Sequence, residues 1–247
     1  MRGSLQALAA GAALIMLWQL VVSLFQLPPF IMPGPHLVAR TIAAQWQLLG
    51  WHASVTLVQI LTSLLLAGLL GTATAIAMAA WQPVRSLVQP VLLLSQAMPI
   101  FALAPILTLW LGYGFWSKVA MAMLIVYFPI TSSFFDGLMR TPRGFLDLGS
   151  QLAGRPARVM GHLRIPAALP ALASGLRMAA VYAPVGAIIG EWVGASQGLG
   201  YLMLFANGRA KIDLMFAALA VLLMVTLALR FLTEVLCRFM LARYPAA

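Results

Sequence analysis

Charged side chains are nearly missing from this sequence. They make up 8% of its 247 residues, where a soluble domain carries roughly 25%. A soluble fold of any size needs a charged surface, so the shortage excludes one. Lipid is the solvent that removes the need. Acids are scarcest: five Asp and Glu stand against 15 Lys and Arg. A single cysteine, Cys237, permits no internal disulfide and no cysteine-based metal cluster. The three histidines, His36, His52 and His162, fall in loops or near span ends. No H-E-x-x-H, no Ser–His pair and no two acids at one depth are present, so the pattern holds no metal site and no intramembrane catalytic group. The only lysines, Lys118 and Lys211, follow Ser and Ala, and no G-x-x-x-x-G-K-[ST] occurs. A nucleotide cannot be held here by a P-loop.

Long apolar runs are what the sequence has instead. Hydrophobic residues make up 63% of it. The runs are unbroken and do not alternate in about ten-residue units, which disfavours a transmembrane β-barrel. The reading is a single polytopic all-α membrane domain over residues 1–247, with about six transmembrane helices of about 20 residues. The expected spans are Leu5–Leu27, Ala53–Ala80, Val88–Leu111, Ser117–Leu138, Ala171–Trp192 and Leu214–Leu236. The first is longer than the roughly 7–15-residue apolar core of a signal peptide, so it is expected to be retained. The second is rich in Gly, Ala, Ser and Thr, which suits close helix contacts. The third contains Pro90, Pro99 and Pro105. Proline removes a donor and bends or breaks a helix, so this span is expected to be broken and interior. Between the first two spans, Pro35 suits a first helical turn, and Leu37–Leu49 is expected to lie on the membrane surface with Trp46 and Trp51 at the interface.

The net charge of +10 does not point to nucleic acid, because no aromatic residues interleave with the basic ones. Anionic lipid and topology explain it better. With both termini in the cytoplasm, Arg2, Arg85, Arg140, Arg143, Arg155, Arg158, Arg164, Arg177, Arg230, Arg238 and Arg243 lie inside or at the inner boundary. Only Arg40, Lys118, Arg209 and Lys211 lie outside. That bias follows the positive-inside rule.

The most informative stretch is Asp147–Pro170, DLGSQLAGRPARVMGHLRIPAALP, inside a loop spanning 139–170. Helical spacing puts Leu152, Val159 and Leu163 on one side of a short helix, about Leu146–Leu163, and Arg155, Arg158 and His162 on another. Pro166 and Pro170 are expected to bound it. Two readings fit this cationic amphipathic helix: one lying on the lipid surface, or one docking a partner. A carrier without ATP coupling, or a membrane assembly protein, is the alternative that the loop alone leaves open. A carrier is expected to show intramembrane coupling charges and an internal repeat, and neither is found.

The loop resembles the EAA loop of ABC importer permeases, roughly E-A-A, three residues, G, a spacer and I-x-L-P. Aligned on Pro166, Asp147 takes the acidic position and Ala153 that of the glycine, with Gly154 one place later. The front of the motif is degenerate and the back, RIPAALPALASGLR, is close. QAMPIFALAPILTLWLGYGFWSK, YFPITSSFFDGL and GEWVGASQGLGYLM resemble stretches of the taurine, sulfonate, nitrate and thiamine-precursor importer permeases. APVGAIIGEWVGASQGLGYLM looks most like the permeases for pyrimidine precursors of thiamine.

The resemblance implies a type I importer permease fold in a bacterial inner membrane. It implies a second copy of the permease, two cytoplasmic ATPase subunits that bind the ATP and Mg, and an extracytoplasmic substrate-binding protein. No cofactor and no catalytic residue belongs to this chain. Asp147, Ala153, Gly154, Arg155, Arg158, His162, Pro166 and Pro170 take the ATPase-coupling positions. For the translocation path, Met98, Phe101, Tyr127, Tyr182, Glu191 and Trp192 are the candidates, each weighed against plain helix packing. Glu191 is either a path or gate residue or an interfacial carboxylate paired with Arg209 or Lys211.

Overall fold

A computed structural model describes residues 2–142, 144 and 155–242. The described residues are helical and contain no strand. In chain order the helices are α1 (Arg2–Leu24), α2 (Pro35–Ala44), α3 (Trp46–Ala80), α4 (Gln82–Ala97), α5 (Ile100–Leu111), α6 (Phe115–Met139), α7 (Pro156–Trp192), α8 (Leu199–Gly208) and α9 (Ile212–Ala242). Four of these, α3, α6, α7 and α9, are long and apolar enough to cross a membrane. The α4–α5 pair makes a fifth if it is one span. The apolar stretch of α1, Ala9–Leu24, is shorter.

The predicted third span is broken, as its prolines require. Its halves meet at 108°, with Met98 and Pro99 both extended between them. A residue before proline is pushed out of the α region by the ring, which sets the break at Pro99. Pro90 and Pro105 are carried inside helices. The expected interior position is not found within one chain. Only Leu92, Ala104 and Thr108 of these two helices are buried.

Two other boundaries move. The second span starts at Trp46, not near Ala53, and so takes His52 into a helix. The surface helix is correspondingly short, Pro35–Ala44, with Gly34 before it and Pro35 in its first turn. The larger change is in α7. Pro166 and Pro170 were expected to bound a separate helix, yet the chain runs helically from Pro156 to Trp192. A π-helical turn at Met160–Arg164 opens the backbone just before Pro166. Pro166 therefore sits in the first turn of the following α-helical stretch, where a missing N–H is tolerated. At about 1.5 Å per residue, α7 is about 55 Å long, well beyond the roughly 30 Å hydrocarbon layer.

The chain packs as two units, Met1–Thr56 with Ser196–Met224, and Leu57–Ala195 with Val225–Ala247. In the first, the Thr41 hydroxyl donates to Asp213 Oδ2 at 2.8 Å, and Trp18 stacks on Phe216. The first N–H groups at the α8 start have no intrahelical acceptor. Gly198 N–H donates to His52 Nδ1 at 3.0 Å and Leu199 N–H to Thr56 Oγ1 at 2.8 Å. Gly198 turns with φ +109° and opens this short helix.

The second unit is built on α6 against α7. Ala122, Val126, Ile130, Phe134 and Leu138 recur every four residues on α6 and are buried. Facing them are the small residues Ala168, Gly175, Ala179, Ala183, Gly186 and Gly190 of α7. The helices run antiparallel: a Cβ at Gly175 would meet the Pro129 carbonyl oxygen at 2.7 Å, and one at Gly186 the Ala122 Cα at 2.5 Å. Apolar solvent gives helices no hydrophobic reason to associate, so close backbone approach and dispersion must hold them. Arg85 Nε donates to the Met78 carbonyl at 3.2 Å and Arg164 Nη1 to the Ala79 carbonyl at 3.4 Å. Two arginines thus satisfy orphan carbonyls at the end of α3.

Gly186→Ala should therefore cost about 1–3 kcal/mol by overpacking. Gly68→Ala, whose Cβ would meet nothing within 4 Å, should stay within about 0.5 kcal/mol. Thermal unfolding of the two variants in detergent checks this; equal midpoints would contradict the seam.

Candidate functional site

The cationic end of α7 begins at Arg155, an extended residue before Pro156. Arg155, Arg158 and His162 are exposed, and Val159 and Leu163 are half-buried, so the two faces expected from helical spacing are present. His162 Nδ1 lies 3.1 Å from the Arg158 carbonyl oxygen. Behind this face is a cavity of about 730 Å³ between the end of α3 and the start of α7, lined by Ile76, Ala79, Ala80, Arg155, Met160 and Arg164 among others. The end of the rod thus offers guanidiniums to solvent beside an apolar recess. Pro166 and Pro170 lie along the same helix, half-buried and exposed. Asp147, Ala153 and Gly154, with Leu152, lie outside the described residues.

At the opposite end of α7, Glu191 is 1% exposed, too buried for an interfacial carboxylate in water. It lies within electrostatic reach of Lys118. Lys118, expected at the outer boundary, is itself only 2% exposed. Its Nζ donates to the Tyr113 carbonyl at 2.6 Å, to Ser117 Oγ at 3.3 Å and to the Gly194 carbonyl at 3.5 Å. One ammonium therefore ties the turn before α6 to the turn after α7. Gly194 adopts φ +76°, and a Cβ there would run into the Tyr113 ring.

The six path candidates do not form one group. Phe101 and Trp192 stack at 6.2 Å between centroids, and both are exposed, as are Met98 and Tyr182. Tyr182 and Met178 line a cavity of about 340 Å³ with Gln96, Ser132 and Ser133. Tyr127 is half-buried, and its hydroxyl donates to Thr74 Oγ1 at 2.9 Å, which ties α6 to α3. Among the described residues no group of three His, Cys, Asp or Glu side chains is arranged to hold a metal ion.

Residues 67–244 match the family model of the binding-protein-dependent transport system inner membrane component. The chain belongs to that family. This permease is 46% identical over 92% of its length to a probable ABC transporter permease protein of Haemophilus influenzae, covering 93% of that protein. It is 38% identical over 81% of its length to the formylaminopyrimidine transport permease ThiX of Halalkalibacterium halodurans, covering 82% of it. It is also 34% identical over 95% of its length to the riboflavin transport permease RibX of Chloroflexus aurantiacus, covering 88% of it. The chain is a multi-pass inner-membrane permease component of an ABC transporter and not itself an ATPase. Membership implies an ATPase and a binding protein as partners.

One feature of the permease went unseen in the sequence, where Arg177, Arg230 and Arg238 served only to set topology. The structure gathers all three on one carboxylate. Glu234 Oε2 accepts from Arg177 Nε at 2.7 Å and Arg230 Nη1 at 3.1 Å, and Oε1 from Arg238 Nε at 3.0 Å. The spacing of Arg230, Glu234 and Arg238 at four-residue steps on α9 was a readable signal. Arg177, reaching from α7, had none. Asp136 and Arg140 stand four residues apart, a spacing that suits a side-chain pair, but no such pair is among the ion pairs of the described residues; the Arg140 backbone N–H meets the Asp136 carbonyl at 3.0 Å.

Lys118 and Glu191 are two buried charges of opposite sign that influence each other electrostatically, and removing one such charge while the other stays buried costs about 3–5 kcal/mol. Lys118→Met should lower permease stability by about that much, and adding Glu191→Gln should restore part of it. Thermal unfolding of the single and double variants reads both. If the double variant were as unstable as the sum of the single ones, Lys118 and Glu191 would not act as a pair.

Proposed function

We propose that this permease forms half of the translocation path of an importer for a small polar organic solute, a pyrimidine precursor of thiamine being the best-supported choice. Two copies would enclose the path, with two ATPase subunits on the cytoplasmic side and a binding protein on the other. Both termini then lie in the cytoplasm, as the distribution of basic residues favours. ATP and Mg belong to the ATPase subunits. The pyrimidine choice is supported by 38% identity to a formylaminopyrimidine permease, against 26% to the taurine permease TauC of Escherichia coli. By the same measure riboflavin, at 34% identity to RibX, comes next, ahead of taurine, a sulfonate or nitrate.

The observation that carries the coupling role is the exposed Arg155–Arg158–His162 face at the tip of a continuous α7. ATP-driven closure of the ATPase pair would push on this tip. A helix unbroken to Trp192 then carries the displacement to the end where Glu191 and Lys118 sit. Phe101, Trp192, Met98 and Tyr182 supply the exposed surface along which a solute passes. In this reading Asp147, Ala153 and Gly154 belong to the same docking segment.

Arg158→Glu should leave insertion and folded yield unchanged while lowering ATP-dependent uptake by about tenfold or more, the scale expected when a charged interface contact is reversed. Uptake of labelled formylaminopyrimidine into proteoliposomes, with ATP turnover in parallel, measures it. If uptake and stimulated hydrolysis both survived, α7 would not be the docking element. If labelled taurine entered and the pyrimidine did not, the solute assignment would fall and the importer assignment would stand.

A further inference from the structure

The cluster on Glu234 holds more positive charge than its carboxylate can answer. Three guanidiniums converge on one acid, leaving two charges in excess within or beside a membrane-spanning helix. Ionisable groups in such helices are rare and mark ligand or ion sites. Here two of the guanidiniums also share a cavity. Arg177 and Arg230 line a cleft of about 290 Å³ with Met178, Val181 and Tyr182.

The hydrogen-bond inventory shows what the cleft lacks. Arg177 gives Nε and Nη2 to Glu234, at 2.7 and 3.4 Å, and Arg230 gives Nη1. A guanidinium carries further N–H donors and no acceptor. The group that completes this cleft is therefore an acceptor with several oxygens and a negative charge. A planar fork of donors fits phosphate-like oxyanions better than a point cation would. Tyr182 adds a phenol that both donates and accepts, and it is 45% exposed, so the cleft is open to a ligand. Side-chain exposures of 26% for Arg177 and 38% for Arg230 leave both guanidiniums partly exposed.

We infer that Arg177, Arg230 and Tyr182 form a binding site for one tetrahedral oxyanion group, a phosphate or sulfonate. Glu234 is its positioning residue: it holds both guanidiniums on the cleft wall and lowers their mutual repulsion. The oxyanion arrives on a soluble molecule or as the phosphate of an anionic lipid headgroup, and the chemistry of recognition is the same for both.

The test uses the permease bound to its ATPase. One arm titrates the complex in phosphatidylcholine nanodiscs with radiolabelled inorganic sulfate. The other adds phosphatidylglycerol to the complex in detergent and follows retained lipid by native mass spectrometry. Arg177→Gln with Arg230→Gln should weaken whichever ligand binds by at least about tenfold, the scale of a lost charge-assisted contact. Arg230→Lys, which keeps the charge, should recover most of the binding. Sulfate binding in neutral lipid identifies a soluble oxyanion; phosphatidylglycerol retention alone identifies a headgroup; either supports the site. The inference is overturned if the wild type holds neither, or if the double Gln variant holds its ligand as tightly as the wild type. Copurified ATPase and elution volume report folding in every variant. An assembled complex with no anion bound would end this inference and leave the importer assignment untouched.

Discussion

The close approach of α6 and α7 is the contact on which the second unit depends. In lipid, two apolar helices have no solvent reason to meet, so they must gain from dispersion what hydrophobicity does not supply. Glycines and alanines on α7 let the α6 backbone come near enough for this, at Pro129 beside Gly175 and Ala122 beside Gly186. The same seam ends at Gly190 against the backbone of Lys118. There the ammonium closes both adjoining turns through the Tyr113 and Gly194 carbonyls. The packing places the buried charge, and the charge in turn fixes the turns.

With the ATPase docked at Arg155 as proposed, a tight seam along a single continuous helix would serve as a mechanical element. α7 joins the exposed cationic tip at Arg155 to the buried carboxylate at Glu191. The π turn at Met160–Arg164 is the one widened turn in that rod, and it stands between the tip and the seam. Close-packed interiors transmit displacement instead of absorbing it. A push at the tip would therefore arrive at the far end as a shift of the whole helix. The three-arginine cluster on Glu234 joins α7 to α9 partway along and so would move with it.

Much of this was legible in the amino-acid order. The scarcity of charge and the length of the apolar runs called for a helical membrane protein, and the break at Pro99 followed from proline chemistry. The two faces around Arg158 followed from helical spacing. Two kinds of feature were hidden. Proline punctuation at Pro166 and Pro170 suggested helix boundaries, because nothing local announced the π turn that accommodates Pro166, and Pro170 is carried inside the helix. Long-range charge interactions, the electrostatic influence of Glu191 on Lys118 and the ion pair of Arg177 with Glu234, join residues that are distant in sequence. Their meaning depends on which helices lie together, and periodicity along one helix does not contain that.

The central claim is that the Arg155 end of α7 is where the ATPase engages. Cys237 is buried, so a cysteine placed at the exposed Ala157 would be the one that a maleimide reads. The account predicts rapid labelling of Ala157→Cys in the isolated permease and strong protection once the ATPase is bound. Equal labelling in both states, with the complex intact, would contradict it.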